Sequence, residues 1–355
     1  MHAGVLLLFQ NYENKAPDDE IYWNNIQLGE LADSLGYDSL WSVEHHFDAD
    51  YSMCPDNLQL LSYLAGRTSN IKLATGAVIL PWNDPLRVAE KVALIDVLTK
   101  GRFIFGMGRG LARVEYAGMR QEMSESRERF DEAAAMILRA LETGIAENDG
   151  PYYTQPPVEI RPRPLATFEG RTYAVAMSPD SAAAAARLKV GMMSFVQGDI
   201  ETVHLPIINV YRDTYREVHG EEAPPPLLSD LGYCHPDPEQ VHKVTREYTA
   251  NYYRTCVTHY EFGGDHFSST SGYEAYGQAA QLIRDAGLEA VCDGFVSAQI
   301  SGTPEQMVEK YAARKELIGE FGAQFVPYHG GIPYDLAEES FKLMSKEVLP
   351  ELRKL

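Results

Sequence analysis

The feature that most restricts this chain is an alternation kept up over nearly its whole length. Short apolar runs, as expected of strands buried on both faces, take turns with segments whose apolar residues recur at helical spacing. Ala3 to Phe9 is the first such run, and Ile26, Leu31, Ala32 and Leu35 mark the first helix, which Gly36 can end. The pattern predicts further strands at 38–41, 71–80, 103–110, 172–176, 192–196, 227–233 and 323–327. Between them, helices are expected at 58–65, 88–98, 130–141, 203–218 and 237–259, with a last one at 336–352. Asp84-Pro85, Ser178-Pro179-Asp180 and Thr303-Pro304-Glu305-Gln306 each supply a capping side chain followed by proline at the first helical position. Eight strands alternating with helices, under the rules for handed crossovers, predict an α/β fold of the (β/α)8 TIM-barrel type in a single domain, 1–355. Two stretches break the period. Five prolines between Gly150 and Pro164 predict an irregular insertion at 148–168 that is not a barrel element. Gly263-Gly264, the run Ser268-Ser269-Thr270-Ser271-Gly272 and several aromatics expected to be exposed predict a mobile lid insertion at 261–294.

Charge narrows the function. Lys+Arg 31 against Asp+Glu 51 gives a formal net charge of −20, which repels a phosphate backbone or an anionic bilayer. Neither nucleic acid nor membrane is an expected partner. No run approaches the roughly 20 apolar residues of a membrane span, and Met1 to Phe9 is too short and too poorly flanked for a signal peptide. Cys54, Cys234, Cys256 and Cys292 have no metal-type or disulfide spacing, so reduced thiols in a cytoplasmic protein are expected.

Three groups of residues carry chemistry. Glu44-His45-His46 closes the stretch after the second strand, at the end of the barrel where such enzymes keep their catalytic groups. Side-chain alternation puts Glu44 and His46 on one face and His45 on the other, so adjacent histidines rarely share a metal. A pair of histidines hydrogen-bonded at a loop edge is the blander alternative. Gly106-Met107-Gly108-Arg109-Gly110 surrounds one fixed cation with residues that let backbone approach a ligand, or is simply a tight turn. It lacks the spacing of a dinucleotide fingerprint. Ser178 and Ser181 open a helix whose amides can hold an anion, or serve only as its cap.

Together, Trp41-Ser42-Val43-Glu44-His45-His46-Phe47, Thr75-Gly76-Ala77-Val78-Ile79-Leu80-Pro81, Asp84-Pro85-Leu86-Arg87-Val88-Ala89-Glu90 and Lys100-Gly101-Arg102-Phe103 to Gly110 resemble the bacterial luciferase-like flavin monooxygenases. The resemblance is dense from about residue 3 to 142, patchier to about 200, and returns at Gly302-Thr303-Pro304-Glu305. It implies a barrel that takes reduced FMN as a co-substrate, reacts it with O2 to a C4a-peroxyflavin and oxygenates a small apolar organic molecule: an aldehyde, ketone, alkane or aromatic. A separate flavin reductase would supply the FMNH2, and a homodimer or heterodimer is expected. By position, His45 resembles the family's catalytic base and Glu44 the neighbouring acid. Gly76 and Ala77 fall where the family has a non-prolyl cis peptide under the flavin ring. Arg109 resembles its phosphate-binding arginine, with Met177, Ser178 and Ser181 at the other side. Gly108 stands where luciferase has a reactive cysteine, which widens that part of the expected pocket. Met177 replaces an acid and Glu115 an aspartate. An F420-dependent oxidoreductase is the nearest alternative. A metal-dependent hydrolase using Glu44, His46, His235 or His329 lacks a His-x-His strand motif, and no metal is expected. A non-catalytic flavin-binding subunit is a further alternative, against which His45 and the lid weigh.

Overall fold

In the computed structural model the apolar runs become strands with almost no exposed residue. The structure describes residues 1–264, 267, 273 and 277–355, with only the backbone at 277–280 and 282. The first strand, β1 (Ala3–Leu7), is flanked by β2 (Ser39–Ser42) and, from the far end of the chain, by β11 (Gly322–Phe325), both parallel to it. Continuing in chain order, β3 (Lys72–Thr75), β4 (Val78–Ile79), β5 (Phe103–Gly108), β8 (Thr172–Val175), β9 (Gly191–Phe195) and β10 (Leu227–Asp230) complete the sheet. Its order is β3-β2-β1-β11-β10-β9-β8-β5, and β3 pairs with β5, so eight parallel strands close on themselves. The expected barrel is therefore present. Its closure depends on close backbone approach at Gly106, where a Cβ would lie 1.9 Å from the Thr75 carbonyl oxygen. Thr75 Oγ1 in turn bridges Gly106, accepting from its N–H at 2.8 Å and donating to its carbonyl at 2.7 Å.

The caps read from the sequence form. Asp84 accepts from Arg87 N, and Ser178 and Thr303 each close a capping box with Ser181 and Gln306. Trp41 is buried, donates to Ser39 Oγ at 2.7 Å and meets Tyr173 edge-on. Below the carboxyl end of β10, Asp230 receives both guanidinium nitrogens of Arg314 at 2.6 and 2.9 Å, the two side chains being 0% and 4% exposed. A buried pair of that geometry costs little only while both partners are present.

Three expectations are corrected, and one helix is added. The run 71–80 is not one strand: β3 ends at Thr75, where Gly76 N makes the last bond to β2 by donating to Ser42 O at 2.7 Å, and β4 resumes at Val78, with Ala77 O between them taken by Asn57 Nδ2 at 3.0 Å. The insertion at 148–168 is partly regular, because β6 (Ile145–Asp149) and β7 (Thr154–Glu159) pair as an antiparallel hairpin apart from the barrel sheet. The prolines 156 and 157 are tolerated there because a two-stranded sheet leaves outward edges that need no donor. A helix at Arg113–Met119 is too short to show a period, and the sequence pattern misses it. Within 261–294, Gly277–Ala286 and Leu288–Ala298 are helices, and Phe262, Phe267 and Tyr273 are buried, not exposed. The rest of the expected lid, and its mobility, lie outside the described residues.

Candidate active site

At the carboxyl ends of its strands the barrel holds a cavity with about 1080 Å³ of empty space, the open solvent at its mouth included. Glu44, His45, Gly76, Ala77, Gly108 and Arg109 line it from the first half of the barrel, and Met177 and Ser181 from the second. Ser178 does not line it. The hydroxyls of Ser178 and Ser181 are engaged with one another and with the first turn of their helix. Ser181 N donates to Ser178 Oγ at 3.3 Å, and Ser181 Oγ receives the amides of Ser178 and Met177 at 3.0 and 3.1 Å. The capping role predicted as the blander alternative is the one these bonds serve.

His45 leaves β2 on the loop, its amide held by Cys54 O at 3.0 Å. Its Nδ1 lies 3.0 Å from Glu115 Oε1, and the same oxygen receives the His46 amide at 2.8 Å. A carboxylate only accepts, so Nδ1 carries the proton and Nε2 is the ring atom left for exchange. Burial opposes ionisation of Glu115, but the charge and hydrogen bond of His45, with the charge of His259 and the His46 amide, hold its carboxyl below the usual range. Glu44, the neighbouring acid of the resemblance, directs its hydrogen bonds to residues other than His45. Its carboxylate takes Trp82 Nε1 at 2.8 Å, Asn83 Nδ2 at 2.9 Å and Ile79 N at 3.0 Å, and lies 3.3 Å from His46 Nε2. Strand alternation predicts that pairing; the acid that reaches His45 comes from the helix missed in the sequence.

The Gly76–Ala77 peptide is cis. Gly108 opens no extra room: a Cβ there would come within 2.9 Å of Ile79 Cδ1 and 3.3 Å of Ala77 Cβ, so Ile79 already fills the space a side chain would claim. Gly110, at φ 81°, would press a side chain into Trp82 and Ile79. Arg109 lies under the Tyr273 ring at 3.8 Å. A second cation, Arg127, lines the same cavity and is paired with Asp131 at 3.5 Å. Burial, then repulsion from Arg109, pulls the Arg127 guanidinium below its ordinary value. Two guanidiniums lining one cavity are a candidate anion site. The sequence holds no local signal for Arg127, since it lies on a helix away from the glycine-rich loop. Leu8, Val43, Ile79 and Phe195 supply apolar wall, and Tyr51, Tyr252 and Tyr260 form a hydroxyl cluster in which Tyr51 Oη lies 2.8 Å from Tyr260 Oη and 3.4 Å from Tyr252 Oη.

A family model described as luciferase-like monooxygenase matches residues 1–320. The alkanal monooxygenase alpha chain of Aliivibrio fischeri is 26% identical over 289 residues, 78% of each chain. Two solved structures share the fold. The oxygenating constituent of 3,6-diketocamphane monooxygenase from Pseudomonas putida, a type II Baeyer-Villiger monooxygenase in complex with FMN, superposes with a TM-score of 0.74 at 20% identity, over 99% of this chain and 98% of that one. An F420-dependent secondary alcohol dehydrogenase superposes with a TM-score of 0.71 at 16% identity, over 99% of both. No helix among the described residues is long and apolar enough to cross a membrane.

Proposed function

The chain belongs to the luciferase-like monooxygenase family, and from that premise we propose that it is the oxygenase of a two-component system, which takes reduced FMN from a separate reductase. The observation that carries this is the convergence of Arg109, Arg127 and His45 on one cavity. FMN fits the residues present: two cations for its phosphate, small residues at Gly76, Ala77 and Gly108 that leave the backbone open to close approach, and apolar wall for the ring and substrate. When bound, reduced FMN supplies the electrons that activate dioxygen.

The protein's own part is positioning and proton transfer. Arg109 and Arg127 hold the phosphate end. His45, fixed through Nδ1 by Glu115, presents Nε2 to move protons during oxygen transfer and water release. The apolar wall keeps bulk water from the reacting groups and favours a small apolar substrate. A dimeric, cytoplasmic protein in a single 1–355 domain completes the proposal.

The test is rapid mixing of the folded protein, loaded with reduced FMN, with dioxygen. Reoxidation should pass through an absorbance transient that free flavin lacks, and one atom of labelled O2 should enter the product. The likeness to an F420-dependent dehydrogenase favours a second reading, hydride transfer with F420 on the same barrel. Tighter binding of F420 than of FMN, with hydride transfer and no oxygen uptake, would decide for it.

A further inference from the structure

Beside the flavin cavity is a cluster that the proposed reaction does not use in full. His259, the last residue of the helix Ala250–His259, has a side chain 0% exposed. Its Nδ1 lies 2.9 Å from Asp48 Oδ2, and Tyr51 stacks on its ring at 4.2 Å with the planes 15° apart. The ring is thus fixed on two sides. Its Nε2 has no hydrogen-bond partner among the described residues, and faces Glu115 Oε1 at 3.8 Å. With Nδ1 engaged by the Asp48 carboxylate, Nε2 points at the Glu115 oxygen from too far for a hydrogen bond.

The donors around this gap form a set. His45 Nδ1, Glu115 Oε1 and His259 Nε2 all lie within 4.8 Å of one another, and His45 Nδ1 is 3.0 Å from the Glu115 oxygen. A four-coordinate ion with bonds of about 2.0–2.1 Å places its ligands about 3.4 Å apart, and the two measured edges lie on either side of that. Two imidazoles and one carboxylate select a borderline divalent ion of the zinc type over magnesium or calcium. Asp48 is where a metal-bound histidine needs its outer carboxylate, and the His46 amide at 2.8 Å orients the ligating oxygen of Glu115. The sequence could not show this set, because its members come from a loop and two different helices, 45, 115 and 259 in the chain.

We infer that His45, Glu115 and His259 form a site for a divalent transition-metal ion, with Asp48 as the residue that orients His259. The ion takes the position of the His45 Nδ1 proton, so a filled site removes the tautomer in which His45 exchanges protons through Nε2. Metal binding and turnover exclude one another. That last consequence rests on the proposed function; the site itself does not.

The experiment uses the full chain, treated with chelator and free of flavin, titrated with Co2+ and followed by its visible absorption and by calorimetry, then displaced with Zn2+. One saturable site per chain is expected. Asp48→Asn should weaken it about 10–100-fold, and His259→Gln should abolish the visible band. Circular dichroism checks each variant, and should His259→Gln not fold, Asp48→Asn with the wild type decides. No saturable one-to-one uptake by the folded wild type at millimolar Co2+ overturns the inference, as does uptake by a folded variant as tight as the wild type. FMN affinity, measured on the same samples without metal, reports separately on the flavin reading.

Discussion

Replacing Arg109 by alanine should weaken FMN and leave riboflavin, which lacks the phosphate, almost untouched. Arg109 and Arg127 are the cavity's two guanidiniums, and a charge-assisted hydrogen bond to phosphate contributes about 1.5–3 kcal/mol. Arg109→Ala therefore raises the Kd for FMN about 10–100-fold. Arg127→Ala does at least as much, because it also leaves Asp131, 3.5 Å from Arg127, uncompensated beside the phosphate. Asp131→Asn added to Arg127→Ala should then recover part of the loss, a coupling that two independent sites would not show. Quenching of flavin fluorescence gives both affinities on the same protein, and added salt should shrink the FMN effect at the exposed side of the pair. Loss of riboflavin and FMN in equal proportion would mean that Arg109 supports the pocket wall and not the phosphate. No change in either would place the phosphate elsewhere.

Gly106→Ala sets a Cβ 1.9 Å from the Thr75 carbonyl where two strands close the barrel, so it should cost more than about 3 kcal/mol and appear as a lowered Tm or insoluble protein. Arg314→Met leaves the Asp230 carboxylate buried without its cation and should cost about 3–5 kcal/mol in urea unfolding; adding Asp230→Leu should recover much of it. Burial pulls both His329 and His204 down to about 4, with the charge of Arg314 adding to the effect on His204. The unfolded chain binds those protons from about pH 6.5 and the native chain only near 4, so stability is full above pH 6.5 and is lost as pH falls towards 4, by about 3 kcal/mol per ring. Unfolding free energies at pH 7.5, 6, 5 and 4.5 measure the slope, and a flat profile refutes the assignment. Glu115→Gln keeps an acceptor for His45 but loses the charge, and should slow turnover about 10–100-fold while FMN affinity stays within about twofold.

Local signals carried most of the fold. Asp84-Pro85, Ser178-Pro179 and Thr303-Pro304 set helix starts through bonds spanning three residues, and buried strands such as 3–7 and 103–108 are apolar throughout, so both are legible in a short window. What escaped is non-local or too short to have a period. The helix Arg113–Met119 has fewer than two full turns, yet it delivers Glu115. Arg127 and His259 reach the cavity region from helices whose apolar faces gave no hint of the polar ones. The buried Phe262, Phe267 and Tyr273 show why a glycine- and serine-rich segment was misread as exposed: composition records the loop residues, while burial depends on what packs over Arg109 and Tyr116.

The two carboxylate–imidazole pairs after β2 divide their work by the alternation of the strand itself. Glu44 and His46 point to one side, where Glu44 gathers Ile79 N, Trp82 Nε1 and Asn83 Nδ2 and so fixes the turn that follows the cis peptide. His45 points to the other, and there Glu115 Oε1 holds both the ring of His45 and the backbone of His46. Ring angle and loop position are thus tied to one oxygen. That oxygen lies six residues beyond Arg109, on the helix that directly continues the β5 loop, so a short stretch of chain joins the arginine proposed to hold the phosphate to the contact that fixes the His45 ring. A glutamate where an aspartate would be one methylene shorter lets the helix stay at this distance from β2 and still make both contacts. The length of that side chain is therefore matched to the spacing between the helix Arg113–Met119 and the loop after β2.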